Sequence, residues 1–133
     1  MSRTTKYKKP PVRTLDNLWS KLVKEKAHHI CERCGKRESL NSHHVFGRRS
    51  YSVRWDIDNG VCLCASCHRF SSVFSAHETP TLFTEWVIKK RGRRWYTKLD
   101  KRHNEIYKGD RDNKLSELLA IEKQLRDRGW YGA

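Results

Sequence analysis

The sequence predicts a small α+β domain in which two short strands and a helix lie between flanking helices. The chain has 133 residues, of which 36% are hydrophobic, and this is enough for one compact core but leaves little room for a second. Residues 31–64 lack helical periodicity and contain the turn signal Asp58-Asn59-Gly60, which favours a pair of strands. On both sides of the central segment apolar residues recur at helical spacing, which predicts the flanking helices.

The N-terminal part combines a basic arm with a helix. Residues 1–13 are rich in Lys and contain a Pro pair, so we expect a flexible, extended arm that stays disordered until it meets an anion. Residues 14–27 predict a helix behind the N-cap candidate Thr14. The apolar stripe that we expect to pack on the core consists of Leu15, Leu18, Trp19, Leu22 and Val23.

The rest of the chain divides into a central segment and a C-terminal extension of the same compact domain. The central segment, residues 28–77, predicts strands near Leu40–Val45 and Gly60–Cys64 and a helix near Ser66–His77. The extension, residues 78–133, predicts three helices. The residues that separate and end these helices are Pro80, Gly92, Gly109-Asp110 and Gly129.

The charge of the chain narrows the choice of partner. There are 29 Lys and Arg residues against 15 Asp and Glu residues, for a formal net charge of +14, with most of the excess in residues 1–27 and 78–109. This balance predicts a polyanionic partner such as nucleic acid. Because no apolar run is long enough to span a membrane and the N-terminus lacks the apolar stretch of a signal peptide, we expect a cytoplasmic protein with no membrane partner.

Four of the five cysteines form two pairs, Cys31-x2-Cys34 and Cys64-x2-Cys67. Each pair places two thiolates on one tight turn, and four thiolates complete a closed tetrahedral zinc site. The spacing therefore predicts a structural Zn²⁺ site. The alternatives are weaker, because a redox pair has no reason to occur twice and the symmetric spacing suits an iron–sulfur cluster less well. Cys62 alternates with Cys64 along the strand and is interpreted as a small buried side chain.

Polar residues with the potential for catalysis lie between and after the cysteine pairs: His43-His44, Asn59 and His68. Adjacent strand residues point to opposite sides, so one imidazole of the pair can face a metal while the other faces elsewhere. Phosphodiester cleavage uses a divalent cation held by few protein ligands, and an unligated histidine can take a proton from water near neutral pH. Three other histidines lack such neighbours and are interpreted as surface or packing residues: His28, His77 and His103.

Together these motifs resemble the HNH endonuclease family, in the four-cysteine, zinc-stabilised form found in small phage and bacterial enzymes. The resemblance covers roughly residues 28–77. It implies that this part has the ββα-metal fold, a hairpin with a looped connection followed by a helix. The motifs that carry it are Cys31-Glu-Arg-Cys34, His43-His44, Trp55-Asp56-Ile57-Asp58-Asn59-Gly60 and Leu63-Cys64-Ala-Ser-Cys67-His68.

The resemblance also implies a role for each polar residue. His44 corresponds to the general base, and Asn59 to the residue that hydrogen-bonds across the connecting loop and orients that base. His43 and His68 correspond to ligands of a catalytic divalent ion. A family variant has Asp at the position of His43, and two imidazoles form a softer site, so Mn²⁺, Co²⁺ or Ni²⁺ become candidates beside Mg²⁺.

Two groups of basic residues are candidates for nucleic-acid binding through phosphate contacts. A solvated surface charge is the alternative interpretation for each of them. The residues around the predicted catalytic metal are Arg48, Arg49, Arg54 and Arg69. The residues of the C-terminal cluster, beside Trp95 and Tyr96, are Lys89, Lys90, Arg91, Arg93 and Arg94.

The function predicted from these features is a metal-dependent DNA endonuclease that nicks or cleaves phosphodiester bonds with low sequence specificity, and the resemblance implies a phage or prophage origin. The alternative is a non-catalytic zinc module that binds nucleic acid within a larger assembly, for which the histidines are not needed. The motif does not exclude an RNA nuclease. Contacts to phosphates carry no sequence information. A phage packaging protein or another protein is a candidate partner, and the sequence is compatible with both a monomer and a dimer.

Overall fold

The computed structural model describes residues 8–129, so residues 1–7 of the predicted arm and residues 130–133 lie outside the described part. An α+β fold is confirmed. Two single helical turns, Ile57–Asn59 and Ser66–Phe70, flank the second strand. The longer elements, in chain order, are α1 (Val12–Lys26), β1 (Leu40–His44), β2 (Gly60–Cys64), α2 (Pro80–Arg91), α3 (Arg93–His103) and α4 (Arg111–Arg128).

The two strands form an antiparallel pair within one residue of the predicted bounds. Leu40 lies opposite Cys64, and His44 lies opposite Gly60. Residues 45–59 are therefore the looped connection, and this loop begins directly after the histidine pair. The hairpin thus places the first cysteine of the second pair at one end of the sheet and His44 at the other.

The second strand, β2, is buried along its whole length because helices cover both of its faces. Cys62 lies in one apolar cluster with Trp19 of α1, whereas Val61 lies in a second cluster with Phe83 of α2. An apolar side chain is stabilised by about 1.5–3 kcal/mol when it becomes fully buried. The buried strand is therefore the centre of the core, and it leads directly into the second cysteine pair.

A glycine lets α1 approach the sheet closely. A Cβ atom at Gly60 would lie 2.9 Å from the ring of Trp19 and would also collide with Val23. Two serines join the same elements, since the Ser42 hydroxyl donates to the Ser20 carbonyl at 2.8 Å. Helix α1 is thereby seated directly on the hairpin.

The predicted helix over Ser66–His77 is wrong, because the helix ends after a single turn at Phe70. The Ser71 N–H donates to the carbonyl of Ser66 at 3.0 Å, which closes a wide i→i+5 turn. The Ser71 hydroxyl then accepts hydrogen bonds from the next backbone N–H groups, those of Val73 and Phe74, at 3.2 Å. Serine side chains that satisfy nearby backbone donors compete with helix formation, and this explains the early end.

The C-terminal helices brace the hairpin from outside. Arg102 of α3 donates from Nε to Asp56 at 2.6 Å and from Nη2 to Asp58 at 3.0 Å, so α3 holds the turn that precedes β2. Helix α4 packs on α1 through buried Leu118. No helix within residues 8–129 is both long and apolar enough to cross a membrane.

Candidate functional site

The four paired cysteines converge on one point. The sulfur atoms of Cys31, Cys34, Cys64 and Cys67 all lie within 4.8 Å of one another, and the sulfurs of Cys34 and Cys64 are 3.5 Å apart. A tetrahedron with Zn–S bonds of 2.3 Å has edges of about 3.8 Å. The cluster can therefore bind a structural zinc ion, as the spacing predicts.

The pKa values of these thiols indicate that a bound cation is needed to hold all four as thiolates. Burial raises the pKa of Cys31, but hydrogen bonds from backbone N–H groups outweigh burial and lower that pKa to about 7. Burial and then the neighbouring Cys64 side chain raise the pKa of Cys67 far above the ordinary thiol value. All four groups become thiolates together only when a positive ion compensates their charge.

Three histidines form a second cluster. The coordinating nitrogens of His43, His68 and His77 lie within 4.8 Å of one another, and the Nε2 atoms of His68 and His77 are 3.2 Å apart. The centroid of the His43 ring lies 5.1 Å from that of His68 and 5.2 Å from that of His77. Three imidazoles with converging ring nitrogens are a suitable ligand set for a divalent transition metal.

Two histidines of this cluster, His43 and His68, are uncharged at neutral pH. Burial, followed by the proximity of His68 and His77, lowers the pKa of His43 to about 3. Burial and the proximity of His77 lower the pKa of His68 to about 4. Neutral imidazoles keep the lone pair that a metal requires, so the site favours metal ligation over proton binding.

His44 lies beside this cluster but faces another direction. Its Nε2 atom is 2.9 Å from the carbonyl oxygen of Arg54. Because a carbonyl only accepts hydrogen bonds, Nε2 carries the proton and Nδ1 carries the lone pair. Burial lowers the pKa of His44 to about 4, although the hydrogen bond to the Arg54 carbonyl acts in the opposite direction. His44 is thus a neutral base at pH 7.

Asn59 is fully buried and fastens the loop that leads away from His44. Its Oδ1 atom accepts from the backbone N–H of Phe46 at 2.7 Å. Its amide nitrogen donates to the carbonyl of Phe46 at 3.0 Å and to that of Val53 at 3.1 Å. The side chain therefore ties the start of the connecting loop to its end, and the end carries the carbonyl that holds His44.

The two histidine groups share one groove with a volume of about 570 Å³. His43 and His44 line it together with His68 and His77. Three exposed arginines complete its wall: Arg48, Arg49 and Arg69. Arg48 also donates to Asp16 at 3.2 Å but remains 66% exposed. A groove that combines a metal-binding cluster, a neutral base and guanidinium groups has the chemistry needed for a phosphodiester substrate.

Two predicted phosphate-binding arginines need correction. Arg54 is only 7% exposed, and its guanidinium group is paired with the carboxylate of Asp16 at 3.0 and 2.8 Å. Arg91 donates to Glu32 at 2.9 Å and to the carbonyl of Gly60 at 2.8 Å. Both guanidinium groups therefore form hydrogen bonds within the protein that link separate elements, and they are not free to bind phosphate.

The other basic residues of the C-terminal cluster are exposed on α2 and α3: Lys89, Lys90, Arg93 and Arg94. Lys90 also donates to the carbonyl of Glu32 at 2.6 Å. Gly92, with φ of +96°, separates the two helices. These residues form a basic surface that lies outside the groove.

His77 is a site residue that the sequence prediction missed. In the predicted continuous helix, a separation of nine residues would place His68 and His77 on opposite faces. In the structure the loop folds back on the helical turn, with the N–H of His77 donating to the carbonyl of His68 at 3.0 Å. The sequence did contain a signal for this site. A third imidazole follows His68 by nine residues, and the serines between them weaken the prediction of a continuous helix.

Comparison with known proteins adds one finding. Residues 31–72 match the family model described as HNH endonuclease. No curated protein and no solved structure matches the chain. The matched segment contains both cysteine pairs and ends before His77, while α1 precedes it, so the match confirms the family resemblance drawn from the motifs.

Proposed function

We propose that this chain, which carries an HNH endonuclease domain at residues 31–72, is a metal-dependent endonuclease that hydrolyses phosphodiester bonds of DNA. The family consists of nucleases, so the substrate class is nucleic acid. The observation that carries the proposal is the placement of a neutral base, His44, in the same groove as the three-histidine cluster. A protein that only binds nucleic acid has no need for either group.

His44 acts as the general base in this proposal. Its Nε2–H is held by the carbonyl of Arg54, so the free Nδ1 atom accepts the proton of a water molecule as that water attacks phosphorus. Asn59 acts through the loop, since its hydrogen bonds to Phe46 and Val53 fix the position of the Arg54 carbonyl.

His43, His68 and His77 would hold the catalytic divalent ion. When bound, such an ion stabilises the negative charge that develops on the phosphoryl group and on the leaving 3′-oxygen. Three imidazole ligands favour Mn²⁺, Co²⁺ or Ni²⁺ over Mg²⁺, because Mg²⁺ prefers oxygen ligands. The cysteine cluster holds a separate, structural Zn²⁺ that leaves no position for substrate.

Arginines and lysines would bind the DNA backbone. Arg48, Arg49 and Arg69 line the groove and can hold the phosphates on either side of the scissile bond. The exposed basic residues of α2 and α3 extend this contact. Because phosphate contacts do not distinguish sequences, low sequence specificity is part of the proposal.

The biological setting follows from the resemblance to small phage and bacterial enzymes. A phage or prophage origin, the host cytoplasm as location and a packaging protein as partner belong to the proposal. Residues 8–129 form one such groove. This predicts that a monomer nicks one strand per encounter, whereas a double-strand cut needs a dimer or two events.

A nicking assay on supercoiled plasmid tests the function directly. Purified protein that retains zinc is incubated with Mg²⁺, Mn²⁺, Co²⁺ or Ni²⁺, and conversion to the open circle is followed. We expect nicking with at least one transition metal and none after removal of the loosely bound ion. A protein that binds plasmid but leaves it intact with all four metals contradicts the proposal and supports the binding module.

A further inference from the structure

We infer that helix α1, which lies outside the HNH-matched segment, orients the general base, and that Trp19 and Asp16 are its positioning residues. This inference rests on the proposed function of His44. It adds two residues that the matched segment does not contain. The contacts that support it act on His44 from two directions, one on the face of the ring and one on its Nε2–H.

Trp19 contacts the face of the imidazole. The two rings are stacked, with centroids 3.8 Å apart and planes inclined by 11°. The Trp19 indole N–H donates to the carbonyl of Asp56 at 2.8 Å, and the residue is 2% exposed. An anchored, buried indole leaves the His44 ring one accessible plane, because tilting it would collide with the indole.

Asp16 acts on the edge of the imidazole through Arg54. Its carboxylate accepts from Nε of Arg54 at 3.0 Å and from Nη2 at 2.8 Å. It also accepts from the indole N–H of Trp55 at 2.8 Å and from Arg48 at 3.2 Å. Burial raises the pKa of Asp16, but the hydrogen bonds from Arg54 and Trp55 outweigh burial and keep it below the usual value. The paired carboxylate is therefore ionised and fixes Arg54, whose backbone carbonyl holds Nε2 of His44.

Both contacts depend on the position of α1 against the hairpin. The helix is held there by the close approach at Gly60 and by the bond from Ser42 to the carbonyl of Ser20. Asp16 and Trp19 are three residues apart, which places them on the same face of the helix. One face of α1 thus fixes the orientation of the His44 ring and keeps the proton on its Nε2 atom.

The consequence concerns the chemical step and not substrate binding. Proton transfer needs Nδ1 to point at the attacking water, and a displacement of about 1 Å can lower the rate by about 100-fold. Neither positioning residue belongs to the metal cluster. Loss of either contact should therefore lower kcat while the midpoint of metal activation stays unchanged. Loss of the Trp19 contact should also leave KM for DNA unchanged.

The first test uses Trp19→Leu and Trp19→Phe, with Leu15→Ala as the matched control. Leu15 is a fully buried core residue of the same helix. Its aliphatic side chain cannot stack on the His44 ring as an indole does. We expect kcat to fall by about 10- to 100-fold in Trp19→Leu, with most of it restored in Trp19→Phe, which retains an aromatic face. Leu15→Ala should lose thermal stability without losing kcat at a temperature where it is folded.

The second test uses Asp16→Asn, with Glu122→Gln as the control. Glu122 forms a different ion pair with α1, to Lys21 at 3.0 Å, so it tests the general effect of weakening the attachment of that helix. Asp16→Asn should lower kcat and Glu122→Gln should not. The readout for this pair is kcat and not KM, because Asp16 also pairs with the groove arginine Arg48 at 3.2 Å. If Trp19→Leu does not fold, this pair of variants decides the question with the same measurements.

A spectroscopic measurement separates positioning from mere stability. Nitrogen-15 NMR of the imidazole in zinc-retaining protein should show His44 as the Nε2–H tautomer in the parent, and a mixture of tautomers in Asp16→Asn and Trp19→Leu. Parental kcat or an unchanged tautomer in these variants, while His44→Ala is inactive, overturns the inference. Parental nicking by His44→Ala instead overturns the proposed function.

Discussion

The cysteine cluster and the histidine cluster are neighbours along the chain, yet they are built in opposite ways. Three of the four cysteines are buried, and their sulfur atoms enclose a single point. His43 and His68 are only half-buried, His77 is exposed, and all three line an open groove. A metal in the first cluster is closed to substrate, whereas a metal in the second can meet one.

The two clusters also differ in how their ligands are brought together. Each cysteine pair is local, so a tight turn alone places two ligands. The histidines come from a strand, a helical turn and a folded-back loop, and so they converge only in the finished fold. The adjacent residues Cys67 and His68 connect the clusters, which means that zinc at the first should hold a ligand of the second in place. Damage to the cysteine cluster should therefore affect the fold, and damage to the histidine cluster should affect the metal requirement.

The largest expected effect is loss of the fold when the cysteine cluster is broken. Cys64→Ala should lose zinc and unfold the central segment, since metal binding to such sites supplies on the order of 10 kcal/mol of apparent folding free energy. Zinc content and thermal melting measure this effect. Cys62→Ala, at a buried cysteine outside the cluster, is the control and should retain zinc. A Cys64→Ala protein with parental stability in the presence of a chelator would contradict the structural role.

Removal of the proposed general base, His44, should abolish the proposed reaction and leave the fold intact. His44→Ala is expected to lower the nicking rate by about 10²- to 10⁴-fold, because general base catalysis contributes that much. Zinc content, melting temperature and affinity for a DNA duplex should remain those of the parent. The assignment of His44 fails if high concentrations of the divalent ion restore its activity while His68→Ala stays inactive.

Loss of one ligand from the histidine cluster should have a smaller effect that metal can reverse. His77→Ala should raise the concentration of Mn²⁺ needed for half-maximal nicking by about 10- to 100-fold, as is typical when a metal site is weakened. Saturating Mn²⁺ should then restore part of the rate. His29→Asn, at an exposed histidine outside the groove, provides the control. An unchanged metal requirement in His77→Ala would reduce the cluster to His43 and His68.

The smallest expected effect is a change in the salt dependence of DNA binding. Arg93→Ala combined with Arg94→Ala should reduce the slope of log K against log[salt] by about two units, since each phosphate contact contributes about 0.9. The control removes the same charge from α4 with Lys123→Ala and Arg126→Ala, both at exposed residues. Equal slopes for the two double variants would show that net charge, and not this surface, accounts for the binding.

Local patterns explain which parts of the fold and site were predicted correctly. The strands, the zinc-binding spacing and the helix stop at Gly92 depend on residues close together in sequence, and the structure agrees with each within one or two residues. The helix over residues 66–77 was predicted wrongly, because the serines that end it act through side-chain hydrogen bonds that helical periodicity does not reveal. The error concealed His77, since a helix would have turned it away from His68.

The sequence by itself determined the two cysteine pairs that can bind zinc, the histidine pair, the asparagine of the connecting loop and the excess of basic residues. These are properties of residue type and short spacing, which need no knowledge of how distant segments meet. Only the tertiary structure decided which imidazoles share a groove and which arginines are occupied by ion pairs. The contacts of α1 with His44 also join residues far apart in sequence, here Trp19 and Asp16 on one helix and the hairpin beyond it. Buried charged and polar groups need hydrogen-bond partners. In this fold those partners come from segments that are distant in sequence, so local patterns do not reveal them.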